Sequence, residues 1–161
     1  MTEQRVDVIR SARRKRTVSG RVVAGRFEVR VPAGLDAVVE ERLVSEMTQK
    51  LRRRVISDEI DLSGRASMLA KQFGLREPDR IEWSGRQMRR WGSCTPGTGH
   101  IRISDRLASM PVWVLDSVLV HELAHLEVAD HGRDFDGLVK RYPFTERARG
   151  YLMAVDDRIP A

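Results

Sequence analysis

Cysteine pairs and long apolar runs are both missing from this sequence of 161 residues. Its single cysteine, Cys94, excludes an internal disulfide framework of the kind that holds small secreted proteins together. No stretch approaches the roughly 18 consecutive apolar residues that a membrane-spanning helix requires. Residues 1–7 lack the basic start and apolar middle of a signal peptide. These absences predict a cytoplasmic protein without a membrane partner.

Positive charge is in excess only at the beginning of the chain. The net charge is +6, and residues 1–30 hold nine basic and three acidic residues, a difference that equals the charge of the whole chain. Such a segment can bind an anionic partner, and nucleic acid is the partner that we consider. Basic side chains on the outer face of a sheet more often serve solubility and edge protection. The sequence alone does not decide between these two interpretations.

Hydrophobic periodicity predicts an α+β fold that begins with strands. Phe27, Val29 and Val31 alternate with charged residues, as in a half-buried strand, and residues 1–32 are interpreted as a basic antiparallel strand meander. Apolar spacings of three and four then predict two helices within residues 36–74, one at 36–56 and one at 61–73. Gly74 is the predicted C-cap of the second helix.

The second half of the chain is predicted to hold a small sheet and three helices. Short strands are expected at 80–85, 91–95 and 100–104, and helices at 112–129, 133–142 and 145–157. Pro111 stands at a helix start, where proline is well tolerated. The helix at 112–129 is apolar on nearly every face, which is typical of a buried helix.

Three of the four histidines lie within eleven residues, at His121, His125 and His131. His121 and His125 are four apart and share one face of the predicted helix, so both rings can bind one metal ion. Glu122 can reach a water molecule on that metal. Burying these groups without partners would cost several kcal/mol, and a metal ion with its water removes that difficulty. His131 can join only if the chain turns back, which the Asp and Gly beside it permit.

The order of motifs along the chain resembles one known family. The motifs are Arg13-Arg14-Lys15-Arg16-Thr17, Val29-x-Val31-Pro32, Arg90-Trp91-Gly92-Ser93-Cys94, an Ile-x-Ile strand, the proline-initiated H-E-x-x-H helix, and Asp130-His131-Gly132-x-x-Phe135. Over almost its whole length the chain is similar to the YgjP-like metallopeptidase family, a small relative of the SprT-type zinc proteases. The resemblance implies a single compact zincin-like domain over residues 1–161, with a catalytic zinc-binding core at 80–161. It implies one zinc ion held by His121, His125 and His131, with Glu122 as the general base.

Two features differ from better known zinc proteases. The spacing from His121 to His131 equals that of the metzincins, but Val128 stands where metzincins have glycine. Met153 has no obvious Met-turn context. The turn before His131 must therefore be made differently from the metzincin turn.

Several other residues are candidates for supporting roles. Cys94 is a candidate fourth zinc ligand, although a buried structural thiol is favoured because catalytic zinc sites usually keep one position for water. Trp83 and Trp91 are predicted core aromatics. Three aspartates are candidates to accept a hydrogen bond from the ring N–H of a ligand histidine: Asp130, Asp134 and Asp136. Asp134 is the first choice. Four side chains are candidates for stabilising an oxyanion, and the sequence does not choose among them: His100, Arg102, Tyr142 and Tyr151.

These observations predict a zinc-dependent metallohydrolase, in the first place a metallopeptidase that cleaves peptide bonds with zinc-activated water and Glu122 as base. Two alternatives remain: a hydrolase of non-peptide amides, and a nucleic-acid-associated module with a structural metal. A structural metal site has no need of a carboxylate beside its ligand, which favours the enzyme. The sequence indicates neither the natural substrate nor the oligomeric state.

Overall fold

The computed structural model describes residues 5–156, which belong to two compact units divided between Ile56 and Ser57. Helices and two small three-stranded sheets make up these residues, so the predicted α+β class is confirmed. The single domain over residues 1–161 stays a prediction. The first four residues of the predicted meander and residue 157 of the last helix lie outside the described residues. No described helix is long and apolar enough to cross a membrane.

The first unit is a three-stranded sheet with one helix. Its elements are β1 (Val6–Ser11), β2 (Ser19–Val23), β3 (Arg26–Pro32) and α1 (Ala37–Asp58). Phe27, Val29 and Val31 of β3 are fully buried and form a core with Leu51 of α1. The alternation of side chains along a strand puts the three β3 residues on one face. The core face predicted for this strand is therefore confirmed.

The predicted antiparallel meander is wrong in the position and direction of β1. The strand order is β1-β3-β2; β1 runs parallel to β3 and β2 runs antiparallel to it. Alternation in a sequence reports which side chains face the core, but it does not report the direction of the neighbouring strand. The strand with buried residues takes the centre, whereas β1 and β2 have no fully buried residue and form the edges.

The second unit contains a sheet and four helices along the described residues. Its elements are α2 (Leu62–Phe73), β4 (Arg80–Ser84), β5 (Gly92–Thr95), β6 (His100–Ser104), α3 (Val112–Ala124), α4 (Arg133–Val139) and α5 (Thr145–Asp156). The strand order is β4-β6-β5, with β4 parallel and β5 antiparallel to β6, so β5 is an edge strand. Short 3-10 turns at Pro96–Thr98 and Asp105–Ser109 flank β6.

Helix α3 is the central element of this unit. It contacts α2, α4, α5, β5 and β6, and ten of its 13 residues are buried. Leu115, Leu119 and Leu123 pack in the same core as Ile101 and Ile103 of β6. A helix held on this many sides has little freedom to shift, because protein interiors are close-packed. Its last turn is therefore a firm support for side chains with a chemical role.

Local capping interactions fix both ends of α2, and the sequence predicted the one at its C-terminus. The Asp61 side chain accepts a hydrogen bond from the Gly64 N–H at 2.8 Å, and Gly74 ends the helix in the left-handed conformation with φ of 60°. Glycine adopts this conformation without the steric penalty that a Cβ brings. The predicted C-cap is confirmed.

Helix α3 ends five residues before the predicted end at residue 129. The N–H groups of Leu126 and Glu127 bond to carbonyls three residues back, on Leu123 and Ala124, which tightens the chain into a turn. Leu126 is nevertheless buried. The apolar pattern therefore continued through a segment that is not helical, and the prediction was too long for that reason. Helix α4 likewise ends at Val139 and not at residue 142.

Candidate metal centre

The end of α3 brings His121 and His125 to the same place. His121 lies in the last turn of the helix, and His125 follows it as the C-cap residue. The backbone of His125 still has helical angles, with φ of −67° and ψ of −16°. The two histidines therefore keep the relation of residues four apart on a helix, which is the geometry predicted for them.

The chain then turns back toward α3. Glu127 Oε1 accepts a hydrogen bond from the Arg76 N–H at 2.9 Å, which ties the turn to the loop after α2. The Gly132 N–H donates to the Asp130 carbonyl at 2.8 Å across His131, and α4 begins at the next residue. The turn that the sequence allowed at Asp130 and Gly132 is therefore formed. It carries His131 back to the other two histidines.

The ring nitrogens of the three histidines converge on one point. His131 Nε2 lies 3.1 Å from His125 Nε2 and 3.3 Å from His121 Nε2. One ligand atom from each ring lies within 4.8 Å of the other two, and in the part of the chain that the structure describes this is the group of side chains able to hold a metal ion. The fourth histidine, His100, lies 3.1 Å from Glu82 on the neighbouring strand instead.

The chemistry of this donor set fits a divalent cation. The Val128 carbonyl lies 3.1 Å from His125 Nδ1 and can only accept, so the proton of the neutral ring lies on Nδ1 and the Nε2 lone pair is free. Burial, and then the charges of His125 and His131, lower the pKa of His121 to about 4. Burial also lowers the pKa of His125. Neutral imidazoles with converging lone pairs repel one another unless a cation lies between them, and zinc is bound by such rings.

Glu122 is buried beside this group. It is 6% exposed, and burial raises its pKa to about 7 against the attraction of Arg90. Gly92 of β5 passes so close that a Cβ on it would lie 2.5 Å from Glu122 Oε1 and 2.7 Å from its Cγ. Only a residue without a side chain fits at this approach. The strand backbone therefore helps to fix where the carboxylate stands.

A comparison with models of protein families gives a match. The family model described as YgjP-like, metallopeptidase domain, matches residues 40–153, which is most of the chain. The chain belongs to the YgjP-like metallopeptidase family. This confirms the resemblance that the order of motifs indicated. A search of curated proteins gave no match, and a search of solved structures gave none either.

In this YgjP-like domain the three histidines line a cleft of about 1060 Å³. Strand β5, helix α4 and helix α5 line the cleft together with the three histidines and Glu122. Charged, polar and apolar residues all line the cleft, among them Arg90, Trp91, Gly92, Cys94, Met153 and Asp156. Such a cleft can admit an extended chain or a small molecule.

Phe135 has a role that the sequence reasoning missed. The sequence placed Phe135 only within the motif that carries the family resemblance, but its ring contacts all three imidazoles. The ring centroid of Phe135 lies 4.9 Å from that of His121, 4.4 Å from that of His125 and 4.7 Å from that of His131. Its place in the same short motif as His131 was the available signal.

Cys94 does not join the converging group. It is half-buried against the core, and burial, with the nearby charge of Glu122, raises its pKa to about 11. The ligand atoms that converge belong to the three histidines, and Cys94 Sγ is not among them. The structural role favoured from the sequence agrees with these observations. Trp83 and Trp91 also pack against the core, as predicted.

The four candidates for the oxyanion role contact other parts of the chain. His100 and Arg102 both contact Glu82, and Tyr142 donates to the Trp113 carbonyl at 3.0 Å. Tyr151 packs edge-on against Trp113. None of these four predicted oxyanion candidates lines the described cleft. The acceptor for His125 is the Val128 carbonyl, whereas Asp134, the first choice from the sequence, is exposed.

Proposed function

We propose that this protein is a zinc-dependent metallopeptidase. The observation that carries the proposal is the convergence of three imidazole nitrogens in a cleft that a buried carboxylate, Glu122, also lines. Three neutral histidines with one position left open are the ligand set of a catalytic zinc site. A purely structural site has four protein ligands and no use for the adjacent Glu122.

Each residue of the centre has a distinct role in this proposal. His121, His125 and His131 would hold the zinc ion, and the Val128 carbonyl orients the ring of His125. When bound, zinc supplies a Lewis acid that polarises the scissile carbonyl and makes a water molecule more acidic. Glu122 takes a proton from the attacking water and later delivers it to the leaving amine. Glu122 must stay in place for both transfers, and the close approach of Gly92 restricts its movement.

The edge strand β5 supports a peptide substrate. The Ser104 N–H donates to the Trp91 carbonyl at 2.8 Å, so these two residues form a hydrogen-bonded pair of the antiparallel ladder. Bonded and non-bonded pairs alternate along such a ladder. The backbone groups of Gly92 and Cys94, one and three residues further on, therefore face away from β6. An extended peptide can add to them as a further strand, which a small amide cannot do.

Metal analysis combined with a substrate panel tests the proposal. We expect about one zinc per chain, cleavage of unfolded proteins or peptides, loss of cleavage with a chelator, and recovery on adding zinc. Absence of bound metal after incubation with zinc would reject the proposal. Cleavage restricted to non-peptide amides would replace the peptidase by the amide hydrolase named above.

The basic side chains of one loop in the first unit support a second proposed function, the binding of nucleic acid. The loop between β1 and β2 carries Arg13, Arg14, Lys15 and Arg16, which have no ion-pair partner among residues 5–156. Five other arginines of the same unit form ion pairs: Arg5, Arg10, Arg21, Arg30 and Arg42. Unpaired cations concentrated in one loop can release counterions from a phosphate backbone.

Charge reversal in this loop is the corresponding test. With Arg13, Arg14 and Arg16 changed to glutamate, we expect binding of single- or double-stranded DNA and RNA at low salt to be lost, while the zinc content is unchanged. Binding by the parent protein should fall steeply with salt, since each neutralised phosphate releases counterions. Fluorescence anisotropy with labelled oligonucleotides measures both effects.

A charge-matched control separates local from net charge effects. The triple change of the exposed residues Arg26, Arg86 and Arg89 to glutamate alters the net charge by the same amount outside this loop. It should leave most of the binding intact. Equal loss in both triple variants, or no binding by the parent at low salt, would reject the loop as a nucleic-acid site.

A further inference from the structure

Three side chains connect the start of β5 with the end of α5, two elements that line the cleft. Trp91 immediately precedes β5, Asp156 ends α5, and Arg106 lies in the 3-10 turn after β6. The indole N–H of Trp91 donates to Asp156 Oδ2 at 3.2 Å. The Arg106 guanidinium carbon lies 3.8 Å from the centroid of the Trp91 ring, and its Nη1 lies 3.9 Å from Asp156 Oδ1. We call these three residues the Trp91 cluster.

Arg106 fixes the chain that enters β5. The arginine is only 7% exposed, and its Nη2 donates to the Arg90 carbonyl at 3.1 Å. Its Nε donates to Ser104 Oγ at 3.2 Å, and Ser104 Oγ donates to the Gln87 carbonyl at 3.0 Å. A buried guanidinium is held in place by such bonds, because leaving its donors unsatisfied would be costly. The segment from Gln87 to Trp91 is therefore attached to the end of β6.

Asp156 extends this attachment to α5. Its side chain is 52% exposed, whereas that of Arg106 is 8% exposed, so the ion pair itself contributes little to stability. Its position is the informative feature: Trp91 and Asp156 both line the cleft, one beside β5 and the other on α5. A hydrogen bond between them fixes the distance between these two elements.

We propose that the Trp91 cluster positions β5 for the substrate by holding it at a set distance from α5. This inference rests on the proposed peptidase function. The three residues are positioning residues, because they act through the backbone of β5 and not on the reacting atoms. The same backbone carries Gly92 against Glu122 and presents the outward groups of Gly92 and Cys94. A displacement of β5 therefore weakens the binding of an extended peptide first.

Asp156→Ala is the primary test, and Asp58→Ala is its matched control. Both are exposed aspartates at the last residue of a helix, but Asp58 lies at the end of α1 and does not line the cleft. In the Asp156 variant we expect backbone amide exchange in residues 87–95 to rise about fivefold, since one net hydrogen bond is lost. The Asp58 variant should leave exchange in these residues unchanged.

Kinetics on a peptide that the parent cleaves give the second readout. For Asp156→Ala we expect KM for a long peptide to rise about fivefold, with a smaller change in kcat and an unchanged zinc content, and a smaller rise in KM for a shortened peptide that spans less of β5. Asp156→Asn keeps an acceptor for the Trp91 indole and should restore most of the parent KM. A fall in kcat with unchanged KM, or equal effects in the Asp58 variant, would overturn the proposal.

The two readouts separate the failure of this inference from the failure of the proposed function. Amide exchange needs neither zinc nor substrate, so it reports on the attachment of β5 even if the protein cleaves no peptide. Unchanged exchange in residues 87–95 overturns the positioning role whatever the activity. Increased exchange with an unchanged KM for the long peptide overturns its link to substrate binding.

Discussion

Glu122→Gln is expected to fold, to keep its zinc and to lose at least about 100-fold in hydrolytic activity. Glutamine has the size of glutamate and fits the same buried place against Gly92, where the side chain is 6% exposed. It keeps an oxygen that accepts hydrogen bonds, but it cannot take a proton from the attacking water. The loss should therefore appear in kcat/KM on any peptide that the parent cleaves.

Zinc content and thermal unfolding of the same variant decide how the loss is interpreted. Glu59→Gln, at an exposed position away from the cleft, is the matched control and should keep full activity. Full activity of Glu122→Gln would rule out Glu122 as the general base. Loss of zinc together with activity would make Glu122 a ligand or a structural partner of the histidines, and the hydrolase assignment would then rest on the family alone.

Local sequence signals predicted features that depend on neighbours along the chain. The C-cap Gly74 acts within one turn of α2, and His121 and His125 share a helix face by spacing alone. His131 needed a turn that the sequence allowed but could not require. The class of the fold followed from the same short-range periodicities.

Features that depend on contacts far apart in the sequence were missed or predicted wrongly. The pairing of β1 with β3 depends on which strand takes the centre of the sheet, and the sequence of β1 does not indicate whether it runs parallel or antiparallel to its neighbour. Trp91 and Asp156 are 65 residues apart, and His100 meets Glu82 across two strands. Such partners are selected by tertiary packing and not by neighbours along the chain, so composition and spacing carry little information about them.

His131→Ala should weaken zinc binding by at least about 100-fold, because the loss of even an indirect partner of a metal ligand costs ~10–100-fold. His131 comes from the turn before α4 and is exposed, so its removal should leave the core in place. The two remaining imidazoles, at His121 and His125, cannot complete a three-nitrogen site. Competition with a chromogenic chelator measures the affinity, and circular dichroism checks the fold.

His100→Ala is the control for this experiment, since it removes the fourth histidine of the same chain. His100 faces Glu82 at 3.1 Å and lies outside the converging group, so the variant should bind zinc like the parent. Equal weakening in the two variants would remove His131 from the ligand set, and the turn at Asp130 and Gly132 would then have only a structural purpose. A loss confined to His131→Ala, with the fold intact, would instead mean that the metal centre depends on a residue that reaches α3 only because the chain turns back.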